Sequence, residues 1–163
     1  MVDKVVKAYE WWIAKLAYAQ SPVLLIIRLL VGVGFAQAGW GKLSGDMDQV
    51  AGYFASLGIP APTLNAYMAA VTELVGGIVL VLGIASRLTT IPLIVTMIVA
   101  FATAHREALG SLFSDPGTVM GEAPFPFLLG SLVVLLWGPG LFSLDGLIRF
   151  TKGEGDPSLG EDR

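Results

Sequence analysis

Arg28 and Glu73 are ionisable residues that lie within long apolar runs of this sequence. Gln37, Trp40 and Lys42 close the first of those runs, and His105 with Arg106 closes the third. A charge held at membrane depth is expensive, so such residues turn toward a bundle interior and pair. Arg28 and Glu73 are therefore expected to form a buried ion pair. Counted from the span ends, their depths differ by about 5 Å, a gap an arginine side chain can bridge. The pair would either line a ligand or proton site or act as a clamp that fixes helix register. Gln37, Trp40, Lys42 and His105 form a second polar group, expected at one mouth of the bundle as a ligand-binding set. An imidazole can give or take a proton near neutral pH. Gln37 and Trp40 could hydrogen-bond a carbonyl or stack on a ring. The plainer role for Trp40, Lys42 and Arg106 is anchoring at the membrane interface.

Other chemistries lack their residues. There is no Cys, so disulfides, thiol redox chemistry and thiolate metal sites are excluded. A single His leaves no poly-His metal or haem site within one chain, and no metal site is expected. No Ser/His/Asp constellation or phosphate-binding loop is present. Glu73 and His105 could move protons, but they lie roughly 10 Å or more apart in depth. An autonomous enzyme is therefore the weakest reading. No basic stripe points to nucleic acid.

The elements that must position these residues are helices in lipid. The chain has 163 residues, 55% hydrophobic and 14% charged, and its mean hydropathy is +0.73. Soluble domains carry about a quarter charged residues, and so small a chain cannot hide this much apolar surface in water. Four segments reach the ~20 residues that cross the hydrocarbon: 22–43, 64–84, 88–104 and 125–144. The fold class expected is all-α, an integral membrane four-helix bundle over residues 21–148. Gly32, Ala36, Gly76 and Gly77 follow Arg28 and Glu73 at helical spacing, and small residues of this kind let helices pack closely in lipid. Residues 1–20 place Val6, Trp12, Ile13 and Leu16 against Lys4, Lys7 and Lys15, the pattern of an amphipathic interfacial helix. Val50, Tyr53, Phe54 and Leu57 predict a short helix over 46–57 that caps the outer side. The polar, Gly-rich segment 149–163 is expected to be a disordered tail. Lys4, Lys7, Lys15, Arg87, Arg149 and Lys152 fall on one side of the membrane, and Lys42 and Arg106 on the other. The positive-inside rule then places both termini in the cytoplasm.

Several of these residues also carry a family likeness. Arg28 followed by Gly39-Trp40-Gly41-Lys42 resembles the first-helix pattern of the DoxX family. Glu73 to Arg87, Ala100 to His105, and Gly138 to Asp145 are similar to its later segments, in the right order from about Leu24 to Leu147. The resemblance implies a four-helix protein of the bacterial inner membrane. It also implies membrane redox chemistry: an accessory or quinone-contacting subunit of an oxidoreductase or oxidative-stress complex. It supplies no catalytic residues. The expected cofactors are none held covalently, with quinone the one carrier the chain could contact. The expected partners are the lipid bilayer and either a redox enzyme or further copies of the chain. Two other functions fit the residues. One is a small-solute or ion carrier acting as an oligomer, motivated by the Arg28–Glu73 pair; the other is a ligand-free scaffold.

Overall fold

The computed structural model describes residues 2–152. The described residues form eight helices and no strand: α1 (Val2–Ser44), α2 (Met47–Ser56), α3 (Pro62–Leu82), α4 (Ser86–Thr103), α5 (Arg106–Gly110), α6 (Pro116–Gly121), α7 (Pro124–Trp137) and α8 (Leu144–Lys152). Three stretches are long and apolar enough to cross a membrane: Ala19–Ser44 of α1, all of α3, and all of α4. The fold is all-α and the protein is a membrane protein. α7 is apolar too, but its 14 residues make roughly 21 Å of helix against about 30 Å of hydrocarbon.

Three expected boundaries move. Residues 1–20 do not form a separate helix, because α1 runs without a break through Pro22. No residue between Lys15 and Pro22 breaks a helix, and within lipid a proline is tolerated when neighbouring groups re-satisfy the freed carbonyl. The expected fourth span, 125–144, is divided: α7 stops at Trp137, and an irregular segment leads into α8 at Leu144. Gly138 (φ +84) and Gly140 (φ +75) take left-handed backbone there, which terminates a helix cheaply only at glycine. The first residues of the expected tail are helical instead, since α8 continues to Lys152. Residues 153–163 lie outside the described residues.

Local signals explain the other helix ends. Asp46 caps α2 through its side-chain oxygen, which accepts from the Asp48 and Gln49 amides. α3 begins at Pro62, where a missing N–H does no harm. α3 ends at Gly83 (φ +72), whose N–H reaches back to Val79 and Leu80. Three residues later α4 starts, so α3 and α4 form a tight antiparallel hairpin.

Packing brings the helices around one core of Val31, Phe35, Leu80, Leu93, Met97 and Val134. The Phe35 and Phe127 rings meet at a tilt of 54°, with centroids 4.9 Å apart. A second cluster, Met47, Ala51, Ala66 and Ala70, seats α2 on the beginning of α3. α1 and α3 touch backbone to backbone. A Cβ on Gly77 would press on the Ala36 nitrogen and come within 2.5 Å of the Gly32 oxygen. A Cβ on Gly39 would press into the Ala70–Leu74 turn of α3. Gly76 serves a different contact, facing the Leu93 side chain of α4.

Candidate functional site

The bundle has two polar ends, one at the α3–α4 turn and one beneath α2. At the turn end, Arg28 is 2% exposed. Its Nη1 donates to the Pro139 carbonyl at 2.7 Å and its Nη2 to the Phe142 carbonyl at 2.6 Å. Arg87 donates from the other side, Nη2 to the Leu136 carbonyl at 3.3 Å. These guanidiniums take up the carbonyls exposed where α7 stops, a favourable place for cations. Ser21 supplies an acceptor for the Leu141 amide. Asp145 completes the arrangement. Its carboxylate accepts from the Ala85 and Ser86 amides, both at 2.8 Å, and from the Ser86 hydroxyl at 3.1 Å. It is a helix cap for α4 delivered from 60 residues away, because Ala85 (φ 44) has no side chain that can cap. The Asp145 amide in turn donates to the Gly83 carbonyl.

At the α2 end, Lys42 donates to Glu73. Glu73 is 4% exposed and Lys42 is only partly covered. His105 Nδ1 lies 2.6 Å from Glu122 Oε2, with the Phe101 ring edge-on to the imidazole. Lys42, Glu73 and His105 line one cavity of about 590 Å³, in the size range of small-molecule sites. Its remaining wall is mostly apolar, with Phe35 and Phe127 on one side and Val95 and Met97 on another. Tyr53, Phe54, Leu57 and Ile59 line its α2 end. Thr72 and Thr96 add hydroxyls. A smaller polar cavity of about 330 Å³ adjoins it, sharing His105 and reaching Arg106, Glu107 and Glu122. No group of three or more metal-ligating side chains occurs among the described residues.

The expected Arg28–Glu73 pair is not formed. Arg28 binds backbone carbonyls and Glu73 binds Lys42. The reason is register. α1 and α3 are antiparallel, and the Arg28 guanidinium lies beside Gly83. From Glu73 to Gly83 is ten residues, roughly 15 Å of helix rather than 5 Å. Of the expected ligand set, Lys42 and His105 meet at the cavity, whereas Gln37 and Trp40 do not line it; Trp40 is 63% exposed. Two residues of the site were not singled out from sequence. Glu122 sits in a loop with no periodic signal. Asp145 lies in a Gly- and Leu-rich stretch whose cap target is 60 residues away.

Comparison with known proteins places this arrangement. Over 144 residues the chain is 35% identical to a protein of Mycobacterium tuberculosis named "Uncharacterized membrane protein Rv3486", covering 80% of this chain and 85% of that one. It is 36% identical over 135 residues to the inner membrane protein YphA of Escherichia coli, covering 78% and 91%. It is 30% identical over 136 residues to a Bacillus subtilis protein named "Putative oxidoreductase CatD", covering 82% and 92%. No solved structure matches. The DoxX family model matches residues 23–106, which hold Arg28, Lys42, Glu73 and His105. With more than half of its length matched and relatives aligned nearly end to end, the chain belongs to the DoxX family.

Proposed function

We propose that this protein crosses a bacterial inner membrane four times, with both termini in the cytoplasm, as a quinone-contacting or accessory subunit of a membrane oxidoreductase. Gly138–Ser143 supplies the length that α7 lacks. Non-helical backbone is tolerated at membrane depth only where protein covers it, and Arg28, Arg87 and Ser21 meet that need here. The observation that carries the ligand reading is the cavity beneath α2. A quinone has a flat apolar ring with carbonyl acceptors, and the cavity offers an apolar slot with an ammonium and an imidazole on its wall. Lys42 would donate to a carbonyl, and His105, held by Glu122, would donate or accept a proton as the ring changes redox state. The electrons come from a partner, since the chain has no Cys and one His to hold an electron carrier. One relative's name, oxidoreductase, agrees with that setting.

The carrier reading loses the Arg28–Glu73 pair that motivates it, and keeps only the Lys42–Glu73 pair. A ligand-free scaffold gives no reason for an ion pair on a cavity wall. The test is purification in nanodiscs, mass spectrometry of co-purifying quinones and proteins, and titration with decylubiquinone. Saturable binding weakened by Glu73→Gln is the expected result. Failure to bind any quinone, together with no redox enzyme co-purifying, overturns the reading.

A further inference from the structure

The walls of the cavity are unequal. On the α1 and α7 sides it is backed by Phe35 and Pro124, both buried. At the α2 end it is bordered by Phe54, Leu57 and Ile59, each partly buried, and by Tyr53, which is 54% exposed. The side between α3 and α4 differs: Met68, Val95 and Val99 line the cavity and are also 56%, 54% and 43% exposed. The hairpin explains the gap. At the turn end α3 and α4 are held together by the Asp145 cap and by Gly76 against Leu93. Toward α2 the facing residues, Met68 and Thr72 against Val95 and Val99, border the cavity instead of closing it. Both helices are long and apolar enough to cross a membrane, so this side faces acyl chains and not water.

We infer that the cavity is loaded laterally from the bilayer, between α3 and α4, and that its ligand is a membrane-dissolved amphiphile whose apolar tail stays in the lipid. The inference rests on the cavity being the binding site proposed above and adds the route and the need for a tail. The polar head comes to rest at Lys42 and His105, while the tail leaves past Val95 and Val99. Nothing charged lies on that path: Met68, Thr72, Val95, Thr96 and Val99 are all neutral. A water-borne solute would enter instead at the α2 end, through the polar cavity that shares His105.

The absence of native cysteine allows a clean test. A nitroxide is attached to T96C in full-length protein in nanodiscs, and its relaxation by oxygen and by a water-soluble nickel chelate is compared. Oxygen dominating is the expected result; the chelate dominating overturns lateral access. In a second measurement, Val99→Trp narrows the opening. Affinity for decylubiquinone should then fall about tenfold more than affinity for the same benzoquinone without its tail; equal losses overturn the need for a tail. An oxygen-accessible label with no quinone binding upholds the lateral route and overturns the quinone reading. Mass spectrometry would then show a phospholipid as the resident amphiphile.

Discussion

At the turn end, Arg28, Arg87 and Asp145 bond mainly to backbone groups, the carbonyls of Leu136, Pro139 and Phe142 and the amides of Ala85 and Ser86, with the Ser86 hydroxyl added. Beneath α2, Lys42 with Glu73 and His105 with Glu122 pair side chain to side chain on a cavity wall. A backbone partner cannot move away, so the first set is committed to the fold. A side-chain partner can be exchanged for a ligand group, which is what the proposed function asks of the second set. Charged residues thus bind backbone at one end and side chains at the other, and the partner, not the charge, tells the two sets apart.

The sharpest way to break this contrast is Arg28→Ala. It strips charged donors from two carbonyls, each hydrogen bond worth roughly 1.5–3 kcal/mol, so a loss of about 3 kcal/mol or more is expected in thermal unfolding followed by circular dichroism. A wild-type midpoint would mean the turn end is not structural. Gly77→Ala should come next, at about 1–3 kcal/mol, because its Cβ meets backbone that cannot yield. Gly76→Ala, facing the flexible end of Leu93, should cost clearly less in the same assay. Asp145→Ala removes a cap and should cost about 1–2 kcal/mol, with Asp145→Asn recovering part of it. Glu73→Gln sharpens the contrast from the other side. It keeps an acceptor for Lys42 and should change stability by less than about 1 kcal/mol. Decylubiquinone affinity should nevertheless drop about tenfold in that variant. Trp40→Ala should alter neither quantity, with stability held within about 0.5 kcal/mol, as fits an exposed residue away from the cavity.

The three long spans were legible because a run of about 20 mostly apolar residues matches the thickness of the hydrocarbon and exceeds what a small soluble core can bury. The helix over 46–57 was legible from its periodicity, and α2 occupies Met47–Ser56. What stayed hidden depends on register and on distant backbone. Span edges counted from hydropathy put Arg28 nearly level with Glu73, and the error of about 10 Å is some seven residues of helix. Lys42 stands at a span end, where lysine is common as an anchor; its reach back to Glu73 requires knowing which turn of α3 it faces. Gln37 precedes Lys42 by five residues and points elsewhere, a matter of helix phase that the mostly apolar surroundings do not reveal. The α7 end could have been suspected from Gly138-Pro139-Gly140. That its carbonyls would be taken by Arg28 could not, since the two are 111 residues apart.

Those long separations govern when the fold can close. A chain made from its N-terminus inserts α1 with Arg28 long before Pro139 and Phe142 exist. The α3–α4 hairpin likewise waits 60 residues for the carboxylate that caps it. Both loose ends are tied by the same short stretch, Pro139 to Asp145, once α7 has been made. Premature termination before that stretch would leave the long helices in place but an arginine and two amides without their partners. Completion of the bundle is thus recorded in a single late step, one that membrane quality control could sense as exposed charge.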